Sequence, residues 1–154
     1  MDSLLTKLNF SGQQEICVIN TPKPLEGIIN SFSIDARIIT DLNHITKGNF
    51  FLIFVFSVEE IESYTKQIMG RTSGDPIIWF LYPKKSSKRY TCNFTRDKGW
   101  EILGTYHFES VKIVAFDDDF SAIRFRNVKY IEKLTRSEDM ALSTEAKRRI
   151  RNNK

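Results

Sequence analysis

The residues of this chain best placed to do chemistry are the cations that crowd together after residue 82. Lys84, Lys85, Lys88 and Arg89 put four positive charges into six residues, with Ser86 and Ser87 between them. Ammonium and guanidinium groups at that density suit phosphate, a nucleotide or a nucleic acid. The same pattern also describes a solvated basic loop. Arg96 and Lys98 follow soon after. Asp117, Asp118 and Asp119 form the second concentration of charge. A calcium loop spaces its oxygen ligands at alternate positions, so three adjacent acids read as a turn and not as a metal site. Asp117 has Arg124 or a lysine of the basic loop as its expected ion-pair partner.

A third segment matters for what it lacks. Nucleotide and S-adenosylmethionine binders carry glycines in the loop after the first strand, where backbone N–H groups at a helix start hold the ligand. Here that loop reads Asn20-Thr21-Pro22-Lys23-Pro24. It has no glycine, and each proline deletes an N–H donor. No cofactor is therefore expected. Asp41, where a ribose-binding acid would sit, reads as a solvated strand-end residue. The two histidines do not assemble a catalytic set. His44 sits in a polar loop, and His107 is expected against the core. No nucleophile elbow or metalloprotease motif is present.

The candidate anion-binding set is thus Asn20, Lys84, Lys85, Lys88, Arg89, Asp117 and Arg124, with no catalytic residue assigned. The expected function is a non-catalytic binding or regulatory module with a degenerate cofactor loop. Two alternatives stand beside it. One is a divergent transferase-like enzyme with an anionic substrate, in a pocket bordered by Asn20, Lys84 and the Asp117 hairpin. The other is a weak nucleic-acid binder.

Continuous apolar runs must position these residues. Strands are expected over 15–20, 36–41, 50–56 and 77–82, where no polar alternation interrupts the sequence. Helices fall between them. Leu25, Ile28, Ile29 and Phe32 follow helical spacing. Ser57 and Glu60 form a capping box ahead of Ile61, Tyr64, Thr65 and Ile68, and Gly70 ends that helix. A third helix is expected over 95–103, stopped by Gly104. Strands over 111–116 and 121–128, joined by the Asp turn, form an antiparallel hairpin. Ile123 and Phe125 fall on one face of it, and Arg124 and Arg126 on the other. The alternation predicts a single three-layer α/β/α Rossmann-like domain over 1–131, its mostly parallel sheet ending in that hairpin. Sheets of class I methyltransferases end in the same way. Residues 132–154 read as a polar basic tail, partly helical or disordered.

Three segments carry a resemblance to a known family. They are Leu4-Leu5-Thr6-Lys7-Leu8, Trp79-Phe80-Leu81-Tyr82-Pro83-Lys84-Lys85, and Asp117-Asp118-Asp119-Phe120-Ser121-Ala122-Ile123-Arg124. Over roughly residues 1–131 the chain resembles a family of small bacterial proteins of unknown function. Its members look like truncated methyltransferase or Rossmann sheets. The resemblance implies the fold and supplies no activity.

Composition closes off other classes. The 154 residues suit one domain, and a hydrophobic share of 41% suits a globular one. Cys17 and Cys92 lie far apart with no metal-ligand spacing, so neither a disulfide scaffold nor a zinc site is expected. The start of the chain has no basic and apolar leader pattern, and the run 50–56 is too short to span a membrane. A cytoplasmic location is expected. The net charge of +4 permits an anionic ligand or acidic partner without requiring one. Oligomeric state is not readable from the sequence.

Overall fold

A computed structural model describes residues 2–132. The expected tail lies outside the described residues, apart from Glu132.

The apolar runs become the centre of one six-stranded sheet. Its strands are β1 (Glu15–Ile19), β2 (Arg37–Ile39), β3 (Gly48–Phe54), β4 (Thr72–Pro83), β5 (Phe108–Ala115) and β6 (Phe120–Asn127). Their spatial order is β2-β1-β3-β4-β6-β5. The first four are parallel, and β6 lies antiparallel between β4 and β5. Among the described residues four α-helices flank the sheet: α1 (Ser3–Lys7), α2 (Glu26–Ser31), α3 (Val58–Met69) and α4 (Glu101–Thr105).

Strand alternation delivers neighbouring side chains to opposite faces, which is why the unbroken run in β3 suits a sheet covered on both sides. Phe50, Leu52 and Phe54 meet Leu5 of α1 and Leu8 just after it, and Ile29 and Phe32 from the α2 region. Phe51 and Ile53 meet Ile61 and Ile68 of α3, and Leu103 of α4. The result is the three-layer α/β/α arrangement, with a buried aromatic lattice on each side. Phe54 stands edge-on to Phe116 and Phe120 on one face, and Phe80 edge-on to Trp100 and Phe125 on the other.

The capping box holds: Ser57 Oγ accepts from the Glu60 amide at 3.1 Å, and Glu60 accepts in turn from the Phe56 amide at 2.7 Å. Asp41 caps the short turn Leu42–His44, accepting from the Asn43 amide at 2.9 Å.

Three local expectations give way, and one helix was not expected. The helix expected over 95–103 shrinks to α4, because Thr95 and Gly99 turn the chain first. The Thr95 carbonyl accepts from the Trp100 indole at 2.8 Å, and Gly99 takes a φ of 110°. Trp100 becomes the helix cap and Gly104 is buried inside the helix instead of ending it. His107 is exposed with a φ of 67°, not packed on the core. β4 starts at Thr72, before its apolar run, and pairs there with Gly48 across a register irregularity. The helix α1, which the sequence pattern does not announce, is capped by Asp2, whose carboxylate accepts from the Leu4 amide at 2.7 Å.

Candidate functional site

In a doubly wound sheet the ligand crevice opens where successive crossovers leave toward opposite sides. That point here lies between β1 and β3. The crossover from β1 returns to β2 on one side, and the crossover from β3 continues to β4 on the other. The head of β1 carries Asn20 in the left-handed region, at a φ of 63°. Asn is among the few non-glycine residues that adopt this conformation readily. Its carboxamide donates to the Phe54 carbonyl at 3.0 Å and to Glu60 Oε2 at 2.9 Å. Glu60 Oε1 is already held by the Phe56 amide. The heads of β1, β3 and α3 are therefore stitched together across the switch point. Beyond Asn20, Pro22 and Pro24 lead into a single turn of 3₁₀ helix and a six-residue α2.

A cleft of about 790 Å³ opens at the head of β4. Tyr82, Pro83 and Ser121 belong to the strands at its base, and the segment 84–97 contributes the rest of its lining. Burial pushes the Tyr82 phenol above its ordinary pKa, while a hydrogen bond with Ser121 and the nearby Arg96 charge draw it part of the way back. The phenol is thus protonated at neutral pH. Lys84 is half-buried and Lys85 exposed in the lining. Arg96 adds a third cation and sits 3.8 Å from Asp97.

The Asp hairpin shapes the loop beside this cleft. The Lys84 amide donates to the Asp119 carbonyl at 2.8 Å, and Ser87 Oγ donates to Asp119 Oδ1 at 2.9 Å. Ser87 Oγ also accepts from the Tyr90 amide at 3.2 Å. Asp117 Oδ1 accepts from the amides of Asp119 and Phe120 at 2.8 and 2.7 Å. The acids are turn and loop formers, as their adjacency implies.

The candidate set therefore divides. Lys84 and Lys85 share the cleft. Lys88 and Arg89 are exposed and stand outside its lining. Asn20 belongs to the switch point, and Asp117 is engaged in its own turn, so neither borders the cleft. Arg124 is a correction. Because β6 runs antiparallel, Phe120 pairs with Pro83 while Arg124 pairs with Trp79, well down the sheet. Its Nη1 donates to Asn9 Oδ1 at 3.3 Å, and neither Asp117 nor the basic loop is its partner. The neighbouring Arg126 holds Asp75 at 2.6 Å. The sequence reading did not single out Tyr82, Tyr90 and Phe94. The available signal was two aromatics four residues apart in an otherwise polar loop.

Two thiols differ in reach. Cys17 is buried, and burial with the Glu15 charge pushes its pKa up to about 12. Cys92 is half-exposed in the cleft lining. Iodoacetamide at pH 8 is expected to modify Cys92 in the folded chain and to reach Cys17 only after denaturation, as peptide mass mapping would report. The thiolate is the reactive form, and burial denies it to Cys17. Because folding raises the Cys17 pKa, its contribution to stability is complete below about pH 9 and is lost as pH climbs toward 12.

Among the described residues, no group of three or more His, Cys, Asp and Glu side chains is arranged to hold a metal ion. No described helix is long and apolar enough to cross a membrane.

Sequence comparison matches no family model and no curated protein. Structure comparison does find relatives in shape. The pyocyanin biosynthetic protein PhzM superposes with a TM-score of 0.51 at 10% identity, over 81% of this chain and 53% of that one. This chain thus spans about half of PhzM. A SAM-dependent methyltransferase from Aquifex aeolicus gives 0.49 at 9% identity, over 81% and 88% of the two chains. The N-methyltransferase NodS from Bradyrhizobium japonicum gives 0.47 at 15%, over 80% and 92%. At these identities the likeness is one of fold. The chain has a Rossmann-like α/β fold. The bacterial family resembled in sequence gains no support from these matches.

Proposed function

We propose that this chain is a binding module that takes an anionic ligand in the cleft at the head of β4 and carries out no cofactor-dependent chemistry at the β1 switch point. The observation behind this reading is the Asn20 bridge. Its carboxamide satisfies the Phe54 carbonyl and Glu60 across the place where a nucleotide or methyl donor would lie. A ligand that drew on the Asn20 carboxamide would have to break those bonds, and the prolines that follow offer no N–H groups in exchange.

A second reading is a divergent transferase-like enzyme acting on an anionic substrate. The names of the structures matched in fold suit it better than they suit a non-catalytic module. Lys84 and Lys85 would then hold the substrate, and the switch point would have to open for a methyl donor.

Thermal unfolding separates the two. Inorganic pyrophosphate is expected to raise Tm, and S-adenosylmethionine at saturating concentration is expected to leave it unchanged. A ligand at 100 times its Kd adds about 2.7 kcal/mol, an effect far above detection. Stabilisation by S-adenosylmethionine would replace the first reading with the second. Stabilisation by neither would remove the anion site.

A further inference from the structure

Resting on the anion site above, we infer that the ligand is a phosphomonoester carrying a flat aromatic body, of the size and charge of a nucleoside monophosphate. Three features of the cleft point this way.

The first is size. A volume of about 790 Å³ lies within the range of clefts that enclose whole organic ligands, and it leaves most of the space empty around a bare phosphate.

The second is charge. Lys84, Lys85 and Arg96 stand against a single lining carboxylate, Asp97, which leaves a formal lining charge of +2. A phosphomonoester carries about −1.5 to −2 at neutral pH and matches it.

The third is the aromatic content. Tyr82, Tyr90 and Phe94 all contribute to the lining. Tyr82 and Phe94 are buried and packed on Trp100. Tyr90 is half-buried, its ring 5.0 Å from that of Phe120. A firmly backed ring beside cations is the arrangement that holds a base by its face and a phosphate by its charge, with little side-chain entropy to lose. Thr91 and Asn93, also in the lining, supply polar groups at the scale of a sugar or a base edge.

Calorimetric titration of the full chain with each of the four common nucleoside monophosphates, the corresponding nucleosides, ribose 5-phosphate and inorganic phosphate tests this. At least one monophosphate is expected to bind on the order of tenfold more tightly than ribose 5-phosphate, the margin that one base–aromatic stack provides. Tyr90→Leu keeps the packing on Phe120 but removes the ring. It is expected to abolish that margin and leave the affinity for inorganic phosphate unchanged. Saturation-transfer NMR on the unaltered chain, which needs no variant, is expected to label base protons more strongly than ribose protons. Equal affinity for ribose 5-phosphate and every monophosphate overturns the aromatic-body inference and leaves the anion site standing. Binding of nucleosides as tight as that of monophosphates overturns it too, because the phosphate then contributes nothing. Absence of binding by all the phosphates overturns the anion site itself.

Discussion

Trp79→Ala is expected to lower the unfolding free energy by about 4 kcal/mol. Trp79 has no exposed surface and lies mid-sheet on β4, under the end of α1. Its indole donates to the Leu8 carbonyl at 2.8 Å. Truncation therefore opens a large void and orphans a buried acceptor. Trp79→Phe refills much of the void and loses mainly the hydrogen bond, so about 1–2 kcal/mol is expected. Urea unfolding of both variants checks the order. If the two lose the same amount, the hydrogen bond to Leu8, and not packing, is what Trp79 supplies.

Reversing both cleft lysines, Lys84→Glu with Lys85→Glu, is expected to weaken pyrophosphate binding by about 100-fold or more. Two charge-assisted contacts of about 1.5–3 kcal/mol each are removed, and repulsion replaces them. The paired control is Lys88→Glu with Arg89→Glu. These side chains are exposed and outside the lining, so they act only through a field that salt screens. A change under about threefold is expected at physiological ionic strength. Titration of both double variants at fixed salt, with circular dichroism to verify the fold, decides the matter. Equal losses would move the ligand out of the cleft and onto the outer face of the loop.

The architecture was legible because burial on both faces of a sheet leaves an unmistakable trace. No polar residue interrupts the run from Phe50 to Phe54, and the structure buries every one of them. The terminal hairpin was legible from alternation: Ile123 and Phe125 are buried while Arg124 and Arg126 are not. The start of β4 was not, because Thr72 to Pro76 includes Gly74 at a φ of 62° and a proline and holds no apolar run. The third helix was overextended because a turn built on Thr95 and Gly99 looks helical when only Trp100 and Leu103 are weighed.

The site was harder for a different reason. Asn20 and Glu60 are 40 residues apart, and no local pattern announces their hydrogen bond. The basic cluster was visible as composition. Which of its members share a cleft depends on the turn that Ser87 and Asp119 make together, and these lie 32 residues apart. Arg124 shows the same limit. Its face was read correctly, but its height in the sheet is a matter of register, and register comes from pairing with β4.

The wedge of β6 between β4 and β5 has a consequence for biosynthesis. During translation, β4 has emerged well before the strand that covers its second edge. A nascent chain that has emerged only as far as Ala115 has β3 on one side of β4 but leaves the other edge, from Ile78 to Pro83, unpaired, since all six of those positions pair with residues 120–125. Such an uncovered apolar border is a template for association with other chains. Emergence of the chain through Asn127 closes it. Ribosome-bound intermediates stalled between those two points are where chaperone dependence and aggregation of this protein should concentrate.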